Sequence, residues 1–161
     1  MPQTFSDDNY VYSVDMMFAY LKNNEHTVTK INVNEYMDTL EYSGWGDPGK
    51  NIYYSAMDVI NNPMLYQDDY KRILYADLSY PIIISSEGYI VDGVHRLSKV
   101  YLEKKEYISA YIFDEKLMKK FIIAKKTPDV WEKIDTMQTY EIVDIYYKRF
   151  CKNGNSKLSS S

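Results

Sequence analysis

The stretch of chain from 81 to 113 constrains the fold more than any other. It holds two short apolar runs, Pro81-Ile82-Ile83-Ile84 and Tyr89-Ile90-Val91, on either side of the turn sequence Ser85-Ser86-Glu87-Gly88. Apolar runs of this length, bounded by turn residues, predict a β-hairpin with both strands in the core.

The spacing of apolar residues changes directly after Asp92-Gly93. Val94, Leu97 and Val100 recur at helical intervals, which predicts a helix from about residue 94. Residues 107–113 then return to a strand pattern. The stretch therefore predicts a compact unit of hairpin, loop, helix and strand.

The loop between the second strand and the helix is a candidate anion site. Unpaired backbone N–H groups and the helix dipole converge where a helix begins. Gly93 allows a phosphate to approach the backbone, while His95 and Arg96 supply imidazole and guanidinium donors. Lys99 adds charge one turn later. The predicted phosphate-binding residues are Gly93, Val94, His95, Arg96 and Lys99. For Asp92 two roles stay open, orienting a metal or capping the helix start.

The order of a strand, D-G-x-H-R and an apolar helix resembles the signature loop of the ParB/sulfiredoxin superfamily. The similarity extends to the hairpin, to strand 107–113 and to Ile31-Asn32-Val33, which is similar to the family's leading strand. The resemblance implies an α+β fold, a small mixed sheet with surrounding helices, and a loop that binds nucleotide phosphates. A helical C-terminal extension would follow this core.

The branches of that superfamily differ in the loop. Sulfiredoxins, which use ATP to repair peroxiredoxins, place a catalytic Cys where this chain has Val94, and the one cysteine here is Cys151, so sulfiredoxin activity is not expected. CTP-binding partition proteins carry G-x-R-R and a helix-turn-helix; here His95 replaces the first Arg and no recognition helix follows Thr127. The ADP-dependent free-serine kinases carry the most similar loop, D-G-H-H-R, and a carboxylate base, for which Glu35 is the positional candidate.

The function expected from this resemblance is nucleotide binding with nucleotide hydrolysis or phosphoryl transfer to a small-molecule or protein acceptor. The cofactor would be a nucleoside di- or triphosphate with Mg²⁺. The catalytic candidates are Asp92, His95 and Glu35, with Asp92 also the metal ligand. Two alternatives stay open: a non-catalytic nucleotide sensor or protein-interaction module, and a ParB-like DNA-binding protein or nuclease.

Composition narrows these alternatives. The formal net charge of −4 disfavours a protein that mainly coats nucleic acid, because Lys and Arg supply most non-specific affinity for phosphates. The chain shows neither a signal-peptide pattern nor a long apolar segment, and its single cysteine favours a reducing compartment. The expectation is a cytoplasmic protein without a membrane partner. Richness in Tyr, Asn, Lys and Ile is typical of an AT-rich genome, viral or from a low-GC microbe.

The rest of the chain predicts mainly helices. Ser13 and the pair Ser55 and Asp58 are expected to cap helices, whereas the segment 43–50, which contains Trp45, is expected to be an exposed loop. Trp45 is favoured as a residue that pins this loop over one that stacks on a base, and Asp68-Asp69 are expected to be solvated. The predicted organisation is a core with an N-terminal helix over 1–126, a helical extension over 127–152 and a disordered tail over 153–161.

Overall fold

A computed structural model describes residues 2–151. The fold is mixed α+β, with several small sheets and short helices. The strands are β1 (Thr4–Ser6), β2 (Tyr10–Ser13), β3 (Val28–Asn32), β4 (Trp45–Asp47), β5 (Ile52–Tyr54), β6 (Ile82–Ile84), β7 (Ile90–Asp92), β8 (Tyr107–Ile112) and β9 (Ile122–Lys125). The helices are α1 (Val14–Asn23), α2 (Met37–Glu41), α3 (Ala56–Asn61), α4 (Gln67–Leu74), α5 (Val94–Leu102), α6 (Glu115–Lys119), α7 (Val130–Thr136) and α8 (Thr139–Tyr146). Single turns of 3-10 helix cover Val33–Tyr36 and Pro48–Lys50, and a π-helical turn covers Tyr147–Cys151.

The described chain divides into two compact units. Unit 1 combines residues 2–26 with residues 114–151, and unit 2 is the continuous segment Thr27–Phe113. Helix α1 is thus grouped with the C-terminal helices. The sequence-based division into a core over 1–126 and an extension over 127–152 stays a prediction, and residues 152–161, with the predicted tail, lie outside the described residues.

Unit 2 is built on a four-stranded sheet in the order β3-β8-β6-β7. Strands β6 and β7 form an antiparallel hairpin, β6 and β8 run parallel, and β3 is antiparallel to β8. Helix α5 makes the crossover between β7 and β8. The core of unit 2 is formed by buried apolar residues from the sheet and from the helices and turns around it: Ile31, Val33, Leu40, Ala56, Ile82, Ile84, Leu97, Val100, Ile108 and Ala110.

The predicted hairpin, helix and strand of residues 81–113 are confirmed. So are two caps: the Ser13 hydroxyl accepts from the Met16 N–H at the start of α1, and Ser55 and Asp58 form a reciprocal capping box at α3. Such caps satisfy N–H groups that have no partner inside the helix, which is why they are legible in a sequence.

The prediction of an exposed loop over 43–50 is wrong. This segment begins a second hairpin, in which β4 pairs with β5 and Trp45 lies opposite Tyr54. Turn residues dominate the segment because the hairpin connection is a 3-10 turn followed by Asn51 in the left-handed conformation. The turn itself was therefore predictable from its residue types, but strands of three residues are too short to show an alternating pattern of apolar and polar residues.

Unit 1 contains three strands that the sequence did not predict. Strand β2 pairs antiparallel with both β1 and β9, and Val11 lies opposite Ala124. Residues so distant in the chain carry no mutual signal in a single sequence, and the apolar residues around Tyr12 and Ile122 also have the spacing of helices. Val11 packs with Val130 and Ile134 of α7 in the core of this unit.

The start of α7 also differs from expectation. The order Thr127-Pro128-Asp129 is typical of a helix start with Thr127 as N-cap, but the Thr127 hydroxyl donates to the Asp129 carboxylate and the helix begins at Val130. Among residues 2–151, no helix combines the length and the apolarity that a bilayer crossing requires.

Candidate functional site

Gly93 turns the chain from β7 into α5. Its φ is +113°, in the left-handed region that only glycine adopts readily. A Cβ built on Gly93 would overlap the Ile82 side chain, lying 2.8 Å from Ile82 Cβ, and would sit 3.2 Å from Arg96 Nη2. Glycine is therefore required here by internal packing, whatever ligand the loop takes.

Arg96 is engaged in a set of internal contacts that we call the Arg96 clamp: Asp92, Arg96 and the carbonyls of Tyr80 and Pro81. Arg96 Nη1 donates to both carbonyls at 2.9 Å, and Nη2 pairs with Asp92 Oδ2 at 2.5 Å. The Arg96 side chain is only 17% exposed. The clamp ties the first turn of α5 to the chain entering β6, which gives Arg96 and Asp92 a structural role; a phosphate contact by Arg96 stays a prediction.

Lys99 is also occupied by the protein. Its Nζ donates to the Ala76 carbonyl at 2.9 Å, in the segment after α4. The neighbouring Asp77 accepts from the Ser79 hydroxyl and backbone N–H, and these bonds lower the pKa of the Asp77 carboxyl. Lys99 thus helps to hold this connection to α5.

His95 lies in a different environment from Arg96. Its imidazole stacks on the Trp45 indole, with centroids 4.5 Å apart and planes 17° from parallel. The His95 Nε2 atom is buried without a hydrogen-bond partner among the described residues, and it lies 3.5 Å from Asp69 Oδ1. The side chain as a whole is 35% exposed, so its accessible surface comes from the rest of the ring, which includes Nδ1.

Asp69, from α4, links His95 to the second hairpin. Its Oδ2 accepts a hydrogen bond from the Tyr54 hydroxyl, while its Oδ1 faces His95 and lies 3.6 Å from Arg72 Nη1. This hydrogen bond, reinforced by burial and by the Asp69 charge, raises the pKa of Tyr54 to about 12. We call the chain Tyr54–Asp69–His95 the histidine relay.

The β4–β5 hairpin supplies one member of the relay, Tyr54, and one neighbour, Trp45. Because Trp45 and Tyr54 are opposite each other in its register, the hairpin places the indole on His95 and the phenol on Asp69. The Tyr66 ring stacks on the Tyr54 ring, with the two centroids 4.3 Å apart. Position 46 of β4, next to Trp45, must be glycine because a Cβ there would overlap the Ile52 carbonyl.

The other predicted catalytic residues, Glu35 and Asp92, are not members of the relay. Glu35 is exposed in the 3-10 turn after β3, where its charge, after burial, helps to raise the pKa of Tyr36. Among residues 2–151, no group of three or more His, Cys, Asp or Glu side chains is arranged to hold a metal ion. The roles of Glu35 as base and Asp92 as metal ligand stay predictions.

Sequence reasoning missed the histidine relay. Asp69 was expected to be solvated, yet its side chain is only 14% exposed. Trp45 was expected to pin its own segment, 43–50. In the structure its ring stacks on His95, in the first turn of α5. No local signal pointed to it, because Trp45, Tyr54 and Asp69 are distant in the chain from residue 95 and the stretch between 45 and 66 is about as rich in aromatic residues as the whole chain.

No protein-family model matches this chain, and no curated protein or solved structure matches it significantly.

Proposed function

We propose that this protein binds a nucleotide, with its phosphates at the N-terminal end of α5, and acts as a nucleotide hydrolase or small-molecule phosphotransferase of the ParB/sulfiredoxin type. The support comes from the loop that carries the resemblance. Unit 2 has the strand, hairpin, D-G-x-H-R loop, helix and returning strand in the expected order.

The observation that carries the proposal is the unsatisfied start of α5 beside an accessible imidazole. The first hydrogen bond into this helix runs from the Leu97 N–H to the Gly93 carbonyl, and no described side chain caps it. The N–H groups of Val94, His95 and Arg96 precede that bond. Such groups, at the positive end of a helix dipole, bind phosphate oxygens.

The protein's own residues would divide the work as follows. The backbone of residues 93–96 holds the phosphates, and the Arg96 clamp keeps that backbone in place. Asp92 Oδ2 pairs with Arg96, and its Oδ1 has no hydrogen-bond partner among residues 2–151, so this oxygen would be the ligand available to Mg²⁺. A single carboxylate suits an ion that is held mainly by phosphates and water. Bound Mg²⁺ would supply charge neutralisation for the phosphates.

Isothermal titration with ATP, ADP, CTP and GTP in Mg²⁺ tests this proposal. Wild type is compared with His95→Gln and with His26→Gln, which changes the other histidine of the chain. We expect one nucleotide to bind wild type and His95→Gln with similar affinity, because backbone N–H groups rather than the His95 side chain hold the phosphates. The His26→Gln control should bind like wild type. Arg96→Ala is less informative because it breaks the clamp.

Phosphate release under the same conditions then separates an enzyme from a nucleotide sensor. Turnover in wild type that is lost in His95→Gln supports catalysis. Binding without turnover, with or without candidate acceptors, would assign the loop to a sensor. If none of the four nucleotides binds wild type, the proposal is wrong.

A further inference from the structure

We infer that His95 is the general base at the α5 site and that Asp69 and Tyr54 are its positioning residues. The inference deepens the proposed function and rests on it for the identity of the reaction. It replaces Glu35, which sequence position alone favoured, with a base whose surroundings are visible in the structure.

The contacts of the relay define the orientation of the imidazole. Nε2 faces Asp69 Oδ1 across 3.5 Å in a buried setting, where a protonated Nε2 gains most from the carboxylate. That arrangement leaves the lone pair on Nδ1, on the accessible part of the ring. Stacking on Trp45 fixes the plane of the His95 ring. A base whose ring plane and tautomer are both fixed accepts a proton from one direction.

Tyr54 and α4 hold Asp69 in turn. The Tyr54 hydroxyl donates to Oδ2, so the carboxylate keeps Oδ1 toward the imidazole. The charged group facing His95 Nε2 is Asp69, and beyond it lies Arg72 of α4, with 70% of its side chain accessible; the Asp92–Arg96 pair lies in the same loop as His95. An acid, a histidine and a third group that orients the acid form the general arrangement of an activated base.

The proton transfer balances as follows. The hydroxyl of water or of a small-molecule acceptor loses its proton to Nδ1 while its oxygen forms a bond to the terminal phosphorus. The bridging P–O bond breaks, and its electron pair stays on the leaving nucleotide oxygen. The imidazolium is stabilised by the Asp69 carboxylate until the proton passes to the leaving group or to solvent.

Acylation of His95 by diethyl pyrocarbonate tests the relay without any nucleotide. Mass spectrometry follows the peptide that contains His95, with the His26 peptide as internal reference, at mildly alkaline pH where a model imidazole is neutral. Wild type is compared with Asp69→Asn and with the matched control Asp68→Asn, which changes the exposed neighbouring acid. We expect the His95 rate to fall about three- to fivefold in Asp69→Asn only, within the range for a partly exposed ion pair.

The sign of this change is diagnostic. A variant that loosened the fold would expose the imidazole and speed its acylation, whereas loss of positioning slows it. Tyr54→Phe, with exposed Tyr53→Phe as its control, provides a second test and should slow His95 about twofold. An unchanged or faster His95 rate in both Asp69→Asn and Tyr54→Phe would overturn the inference.

The two proposals fail in different ways. A slower His95 rate in Asp69→Asn together with no nucleotide binding would retain the relay and reject the nucleotide. Nucleotide turnover with an unaltered His95 rate in these variants would retain the enzyme and reject the relay.

Discussion

His95 and Arg96 are neighbours in one loop, yet their side chains contact different parts of unit 2. Arg96 is directed inward, where two backbone carbonyls and Asp92 occupy three of its N–H groups. His95 is directed toward Trp45 and Asp69 and keeps an unpartnered ring nitrogen. In the sequence this pair of basic residues resembles a single binding motif. In the structure Arg96 has a structural role, whereas His95 keeps part of its ring accessible.

This difference follows from the satisfaction of polar groups. A buried guanidinium must place its donors on acceptors, and the strand entry at 80–81 provides carbonyls within 2.9 Å. A buried nitrogen without a partner costs free energy, and such atoms are concentrated at sites that a ligand completes or where a proton moves. The clamp contributes stability, whereas we propose that the relay provides the base of the reaction.

The largest expected effect concerns the turn beneath both residues. Gly93→Ala should lower the free energy of unfolding by about 3 kcal/mol, because it combines an unfavourable φ with overlap onto Ile82. Gly88→Ala is the matched control: Gly88 also has a positive φ, but a Cβ there would have no neighbour within 4 Å. It should cost about 1 kcal/mol. Urea denaturation in a Trp131→Phe background, with Trp45 fluorescence as the probe, measures both, and equal losses would contradict the packing argument.

The clamp itself is tested by Arg96→Ala. We expect a loss of about 2 kcal/mol in the same assay, since a charge-assisted hydrogen bond and two carbonyl contacts disappear together. Arg72→Ala, which removes an arginine whose side chain is 70% exposed, should change stability by less than about 0.5 kcal/mol. A loss for Arg96→Ala as small as that control would show that the clamp is dispensable for folding.

The relay side should respond differently. His95→Gln removes a stacked but partly exposed ring, so we expect a change in stability of about 1 kcal/mol or less, together with the loss of turnover described above. Stability can be measured by Trp131 fluorescence and circular dichroism, because this variant alters the surroundings of Trp45. A loss of stability equal to that of Arg96→Ala would remove the distinction between the two residues.

The smallest effect is a dependence of stability on alkaline pH. The pKa of Tyr54 is raised to about 12 in the folded chain by its hydrogen bond to Asp69, above the value of about 10 for an unfolded tyrosine. Its contribution is therefore complete below about pH 10 and is lost as the pH rises toward about 12. The stability difference between wild type and Tyr54→Phe should shrink across that interval, and a difference that is constant with pH would contradict the hydrogen bond.

Local signals explain which elements were predictable. The hairpin, α5 and β8 follow each other within 33 residues, so period changes and turn residues are sufficient to place them. The caps at Ser13 and Ser55 are equally local. The wrong predictions, at the β4–β5 hairpin and at β2 and β9, concern strands of three or four residues, for which the pairing partner supplies most of the stabilisation and the sequence supplies little pattern.

The sequence alone determined where the candidate loop lies, because a loop between a strand and a helix depends on neighbours in the chain. Only the structure showed that α5 begins without a side-chain cap, since capping by Asp92 was open in the sequence. Tertiary structure decided which loop residues are free. Arg96 is occupied because Tyr80 and Pro81 pass close to it, and His95 is placed beside Asp69 because α4 and the second hairpin pack in unit 2. Contacts between residues 15 to 50 positions apart depend on the packing of whole elements, and no local pattern encodes them.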